Sequence, residues 1–168
     1  MKIVSLLPAA TEILCDMGLA EYISAVSHEC DYPSTINNKL KITSSIIPQN
    51  INQNAIDKLV KEAVKNNIPL YEVDNEQLNK INPDLIITQG LCDVCSISED
   101  KIQATLKNNL CTLSSSTEII SLNGITFDEI CSDILTVGIA VNKEEIAQKL
   151  IKEAVGTKHK ITKERSSN

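Results

Sequence analysis

Two short segments hold most of the side chains that could coordinate a ligand or attack one: Ser27-His28-Glu29-Cys30-Asp31-Tyr32-Pro33 and Cys92-Asp93-Val94-Cys95. His28, Cys30, Cys92 and Cys95 together offer one nitrogen and three sulfurs, a set that zinc accepts in tetrahedral geometry. Cys92 and Cys95 have the spacing of a zinc knuckle. His28 and Cys30 are closer together than usual, but alternate side chains of an extended segment point to one face, so both could reach one ion. A Cys-x-x-Cys between a strand and a helix also serves thiol–disulfide exchange, where the helix N-terminus lowers a thiol pKa. Here Ser96 follows the pair, which puts both sulfurs before the helix, and no cis-proline candidate is evident in a facing loop. The plainest alternative is that His28 caps a strand end by hydrogen bonding. There is no Ser-His-Asp order, no phosphate-cradling loop among only five glycines, and no pair of catalytic carboxylates. An enzyme is not expected.

The elements that must position these segments can be read from apolar runs. Ile3 to Leu7, Ile23 to Val26, Leu70 to Val73, Leu85 to Thr88 and Leu110 to Leu113 read as buried strands. Between them run helical patterns. Pro8 opens one that carries Ile13, Leu14 and Met17 and stops at Gly18. Asn54 caps another, with Ile56, Leu59, Val60, Ala63 and Val64 on one stripe. Asp74 and Gln77 cap a short helix with Leu78 and Ile81 that Pro83 ends, and a further helix carries Ile102 and Leu106. Residues 33–53 read as a long irregular connection with one short extended piece near Ile42. Alternation of strand and helix predicts right-handed crossovers and a three-layer α/β fold around a parallel sheet. Segments leaving the carboxyl ends of such strands gather at one edge, where these folds bind ligands. His28 and Cys92 are therefore expected on a common rim.

The C-terminal quarter has a different pattern. Thr126 and Glu129 form a capping box, followed by a stripe of Ile130, Ile134, Val137 and Val141. Asn142 and Glu145 give a second cap signal, followed by Ile146, Leu150 and Ala154. This predicts one long helix broken near Asn142, or two helices in series, roughly 40 Å in all. From Gly156 the chain turns polar and basic (Lys158, His159, Lys160, Lys163, Arg165), the pattern of a frayed tail. The expected organisation is a lobe over 1–125, the long helix over 126–156 and a disordered basic tail over 157–168. Cys15, Cys111 and Cys131 fall on apolar faces and read as core thiols.

The totals exclude several functions. A chain of 168 residues suits one domain. Its net charge of -6, its single arginine and the lack of a basic stripe before the tail exclude an electrostatic nucleic-acid surface. Three Tyr, one Phe and no Trp leave no stacking platform for bases. No apolar run has the length of a membrane span. Lys2 followed by Ile3 to Ala10 faintly resembles an export signal, but Pro8, Thr11 and Glu12 interrupt it and no cleavage site closes it. The chain is expected to be cytoplasmic, with its cysteines reduced.

The order of motifs adds a resemblance. Ile3-Val4-Ser5-Leu6-Leu7-Pro8-Ala9-Ala10-Thr11-Glu12-Ile13-Leu14, followed by Gly18-Leu19, resembles the opening of the iron-siderophore/vitamin B12 class of ABC-transporter substrate-binding proteins. Val26 to Pro33, Leu70-Tyr71-Glu72-Val73-Asp74, Pro83 to Gln89 and Leu91-Cys92-Asp93-Val94-Cys95 are similar to the signal-less, cysteine-containing branch described as cobalamin-binding. The resemblance covers residues 1–155. It implies a class III, Rossmann-like lobe followed by the helix that joins two lobes, with the ligand held between lobes and the second lobe absent here. A fragment, a second polypeptide completing the cleft, or a lobe acting alone would each fit. The implied ligand is a corrinoid, cobalamin, or a related metal chelate. His28 would be an axial ligand to cobalt, with thiolates as a second option. Glu29, Asp31, Gln89 and Asp93 would hydrogen-bond corrin amides. Pro8, Ala9 and Thr11 sit where a helix N-terminus could face an anionic group. Zinc held by His28, Cys30, Cys92 and Cys95, and a dithiol redox module, remain the alternatives.

Overall fold

A computed structural model of the chain describes residues 1–48, 50–66, 68, 70–89 and 116–166. At its centre is β1 (Ile3–Ser5), all three residues of which are buried. It pairs in parallel with β2 (Ile23–Val26) on one side and with β6 (Leu85–Gln89) on the other. β3 (Leu40–Lys41) extends the sheet beyond β2, and β7 (Glu118–Leu122) beyond β6, giving the order β3-β2-β1-β6-β7, parallel throughout. Because side chains alternate along a strand, Ile3, Leu85 and Ile87 go to one face and Val4 and Ile86 to the other. The first face is covered by α1 (Pro8–Asp16), α4 (Phe127–Ala140) and α5 (Glu144–Ser166), through Ala10, Leu14, Val137 and Ala147. The second is covered by α3 (Asn75–Ile81), through Leu78, and by the segment around Ile42 and Val73. These are the three layers expected from the alternation of elements.

The strand at Leu70 to Val73 is not part of this sheet. β5 (Tyr71–Val73) pairs antiparallel with β4 (Thr43–Ser45) in a separate two-stranded ribbon. The connection read as irregular thus holds two strands, β3 and β4, joined at Ile42. The Ile42 N–H donates to Val26 O in the main sheet (3.1 Å), and its carbonyl accepts from Asp74 N at the ribbon (2.8 Å). Ile42 is 1% exposed, which fixes this change of sheet in the core. β3 left no apolar alternation to read because both its residues are exposed. α2 (Gln53–Lys65) links β4 to β5. Asn52 caps it, two residues before the expected cap, by accepting from Ala55 N at 2.9 Å. Asp74 caps α3 as expected, accepting from Gln77 N. The strand at 110–113, the helix with Ile102 and Leu106, and Cys92, Asp93, Cys95 and Cys111 lie outside the described residues.

The C-terminal region is two helices in series with the break at Asn142, one of the two expected arrangements. The second is the long C-terminal helix of 23 residues, and the pair folds back as a hairpin. The Thr126 capping box forms, with the Glu129 carboxylate accepting from Thr126 N and the Thr126 hydroxyl accepting from Glu129 N. Asn142 takes up a left-handed conformation (φ 55°) just past α4, so it ends that helix and does not cap the next. The chain reverses and α5 returns along α4. The helices cross where Gly138 meets Ala147, so closely that a Cβ on Gly138 would lie 2.4 Å from the Ala147 Cβ. Beyond Gly156 the chain stays helical to Ser166, where a frayed tail was expected. Lys158 Nζ lies 4.2 Å from the centroid of the Phe127 ring, a cation–π contact that ties this turn to the start of α4. Among the described residues no helix is long and apolar enough to cross a membrane.

Candidate functional site

The chain runs from β1 out to β2 and β3, then returns to place β6 on the other side of β1. The reversal falls between β1 and β6, and the crevice outside the carboxyl ends at such a point is where open α/β sheets hold ligands. Register fixes which residues reach it. Ser5 is level with Val26 on β2 and with Ile87 on β6. His28 and Gln89 each follow two residues later, separated by one strand, which at the usual strand spacing is about 10 Å. The described chain therefore leaves β2 at Ser27 and His28 and reaches the end of β6 at Gln89 along the same edge of the sheet, on either side of β1.

His28 is held there by the ribbon. Ser27 N–H donates to Ser5 O (2.9 Å), and the chain then turns, with Cys30 N–H donating to Ser27 O (3.1 Å) and Glu29 N–H to Ser27 Oγ (3.3 Å). β4 passes beside this turn. The buried Thr43 Oγ1 lies 2.6 Å from His28 Nδ1, 2.9 Å from His28 N and 3.1 Å from Ser27 Oγ. The Tyr71 ring of β5 sits with its centroid 5.3 Å from that of the imidazole, tilted by 48°. The other ring nitrogen, Nε2, is buried without a hydrogen-bond partner among the described residues. Glu29 Oε1 is 3.2 Å from it, close enough for electrostatic attraction but not aligned for a hydrogen bond.

Cys30 goes the other way. The turn at Ser27 to Cys30 replaces the extended segment on which a shared ion depended, so the two side chains part. Cys30 is 1% exposed and belongs to the core under α1, with Sγ 3.2 Å from Thr11 Oγ1. Lys41 Nζ donates to its carbonyl. Burial pushes the Cys30 thiol pKa up, against a smaller opposing effect of the Thr11 hydrogen bond. Metal ligation needs the thiolate, which this setting disfavours. Among the described residues no group of three His, Cys, Asp or Glu side chains could hold a metal ion. The Cys15 thiol is also pushed up by burial, and Cys15, Cys30 and Cys131 are all free.

The remaining candidates divide. Thr11 is fully buried, with its hydroxyl 2.8 Å from Ser5 Oγ, so its side chain serves the core and not the rim. Pro8 occupies the first turn of α1 and Ala9 is exposed beside it; Leu7, at the N-cap, supplies no side-chain cap. Glu29 and Asp31 are exposed, and Gln89 is half-buried at the end of β6. The Tyr32–Pro33 peptide bond is cis, which the sequence did not betray. Ser27, Thr43 and Tyr71 were not anticipated as site residues. Their signal was a period of two: Thr43, Ser45, Tyr71 and Val73 share one face of the ribbon, and Ser44 and Glu72 the exposed one.

Solved structures share this architecture. A Staphylococcus epidermidis protein described as a possible iron-binding, periplasmic solute-binding protein superposes with a TM-score of 0.64 at 24% identity, covering 96% of this chain and 49% of that one. The periplasmic vitamin B12 binding protein BtuF of Vibrio cholerae gives 0.65 at 22%, covering 99% and 51%. The periplasmic heme binding protein HutB of Vibrio cholerae gives 0.58 at 19%, covering 91% and 46%. The fold is that of one half of a class III solute-binding protein. This class III half-fold spans about half the length of the structures it matches. No protein-family model matches the sequence, and no curated relative does. The resemblance read from the first strand and the Val26 to Pro33 segment is thus carried by the architecture.

Proposed function

We propose that this chain is a non-enzymatic binding module for a metal-centred chelate, a corrinoid in the first instance, taken up at the carboxyl edge between the β2 and β6 exits. One observation carries the reading: an imidazole is held by a buried hydroxyl and an aromatic ring at that edge, with its buried outer nitrogen beside the Glu29 carboxylate and without a hydrogen bond among the described residues. The fold supports it, since the neighbours above are described as binding vitamin B12, heme or, possibly, iron. Glu29, Gln89 and the exposed Ala9 in the first turn of α1 belong to the same wall of the proposed site. A second lobe or a second polypeptide facing this wall, and residence in a reducing cytoplasm, are parts of the same proposal.

The test is a visible-spectrum screen on protein purified anaerobically under reducing conditions. Hydroxocobalamin or hemin should give a saturable difference spectrum and co-elute with the protein on gel filtration. Absence of both signals for both chelates would remove the proposal.

A further inference from the structure

The hydrogens around Thr43 can be counted, and the count decides how His28 meets a ligand. A threonine hydroxyl has one hydrogen and two lone pairs. One lone pair accepts the backbone N–H of His28 at 2.9 Å, a donor with no alternative role. His28 Nδ1 at 2.6 Å and Ser27 Oγ at 3.1 Å divide what is left, one receiving the Thr43 hydrogen and the other donating to the remaining lone pair.

Consider first a proton on Nδ1. It donates to Thr43, and Thr43 donates to Ser27. Ser27 Oγ already accepts Glu29 N–H, so its own hydrogen has no acceptor among the described residues, in a residue 4% exposed. Leaving a buried donor unpaired is costly. The same tautomer turns a bare Nε2 lone pair toward Glu29 Oε1, 3.2 Å away, negative against negative. In the reverse arrangement Ser27 donates to Thr43, Thr43 donates to Nδ1, and Nε2 carries the hydrogen. Both hydroxyl hydrogens are then used, and Nε2–H faces the carboxylate with attraction.

We infer that Thr43 fixes His28 as the Nε2–H tautomer, so that His28 recognises its ligand as a hydrogen-bond donor and not as a metal ligand. Resting on the binding function proposed above, this assigns the group that His28 reads: a carbonyl or carboxylate oxygen on the periphery of the chelate, such as an amide or propionate side arm. Coordination of a metal by Nε2 would require moving that proton and reversing both hydroxyls. Thr43 is a positioning residue, acting through His28.

Nitrogen-15 NMR of His28 in the ligand-free protein, recorded at alkaline pH, tests the tautomer without reference to any ligand. Nε2 should show the protonated signature and Nδ1 the unprotonated one. Thr43→Ser should keep that pattern, and Thr43→Val combined with Glu29→Ala, which removes both the hydroxyl at Nδ1 and the carboxylate at Nε2, should lose it, while Glu29→Ala alone should keep it. A protonated Nδ1 in the native protein, or loss of the pattern in Glu29→Ala alone, overturns the assignment to Thr43. Hydroxocobalamin and hemin then probe the contact. His28→Gln, whose amide N–H can take the place of Nε2–H, should bind within a few-fold of wild type, whereas His28→Ala should lose about tenfold, the worth of one hydrogen bond. Equal loss in both variants, together with a wild-type spectrum showing axial imidazole, overturns the donor role. Failure of both chelates to bind the wild type, with Nε2–H still observed, would sink the binding function and the donor contact while supporting the Thr43 assignment.

Discussion

Gly138→Ala and Gly156→Ala make the same change in one helical hairpin and should have opposite effects. An alanine is favoured over glycine inside a helix by about 1 kcal/mol, so each substitution begins with that gain. At Gly156 a new Cβ meets nothing within 4 Å, and the gain stands. At Gly138 the new Cβ would lie 2.4 Å from Ala147 Cβ and 3.3 Å from Lys143 O. Carbons in contact settle at about 3.5–4.0 Å, so the methyl overlaps its neighbour by more than about 1 Å. Neither neighbour is the end of a flexible side chain. Both are fixed to the backbone, and the Lys143 N–H donates to Gly138 O at 2.7 Å, so relief by separating the helices also strains the turn. Overpacking costs about 1–3 kcal/mol, and an overlap this large against atoms fixed to the backbone falls at the upper end, about 2–3 kcal/mol, which outweighs the helical gain and leaves a net loss of about 1–2 kcal/mol. At about 2–4 °C per kcal/mol for a domain of this size, Gly138→Ala should lower Tm by about 2–8 °C and Gly156→Ala should raise it by about 2–4 °C. Thermal and urea unfolding followed by circular dichroism measure both. A Gly138→Ala protein as stable as wild type would show that the helices do not pack closely at Gly138 and would refute the hairpin contact.

Thr126→Ala removes one half of the capping box and should cost about 1 kcal/mol in urea unfolding. The Glu129 carboxylate is held below the usual glutamate pKa, chiefly by the backbone N–H of Thr126 and then that of Ile125. Its folded pKa is below its unfolded one, so its stabilising contribution is full above the unfolded value and is lost as pH falls through the folded value. Glu129→Gln should therefore lower the unfolding midpoint at neutral and alkaline pH and match wild type at the acid end, so that stability falls less steeply with acid than in the wild type. Cys30 should resist alkylation in the folded protein because its thiol is buried with a raised pKa, while Cys131, half-buried, should react sooner. Timed iodoacetamide labelling with peptide mass analysis checks the order, and equal rates would contradict the burial of Cys30.

Much of the core was legible because both faces of the sheet are covered. Ile3 to Ser5, Ile23 to Val26 and Leu85 to Thr88 stand out as apolar runs because neither side meets water. The caps at Asp74 and Thr126 were legible because they are local, settled within four residues. Pairing was not. Tyr71 to Val73 reads equally well as a parallel or an antiparallel strand, and its partner is fixed only by Ile42 passing from the main sheet to the ribbon. Asn142 marked a break in the C-terminal helix, but the reversal of direction depends on the contact between Gly138 and Ala147, which no periodicity reveals. At the site, spacing alone put His28 and Cys30 on one ion. A turn closed by the Cys30 N–H to Ser27 O bond sends one to the rim and the other to the core. Thr43, which holds the imidazole, was hidden because its strand, Thr43-Ser44-Ser45, has no apolar residue to mark it.

Equilibrium dialysis of hydroxocobalamin against the reduced wild-type protein and its His28→Ala variant tests the proposed rim most directly. Saturable binding of one chelate per chain, weakened about tenfold in the variant by loss of one hydrogen bond, is the predicted result. No saturable binding, or binding that is indifferent to His28→Ala, would contradict the placement of the ligand beside His28.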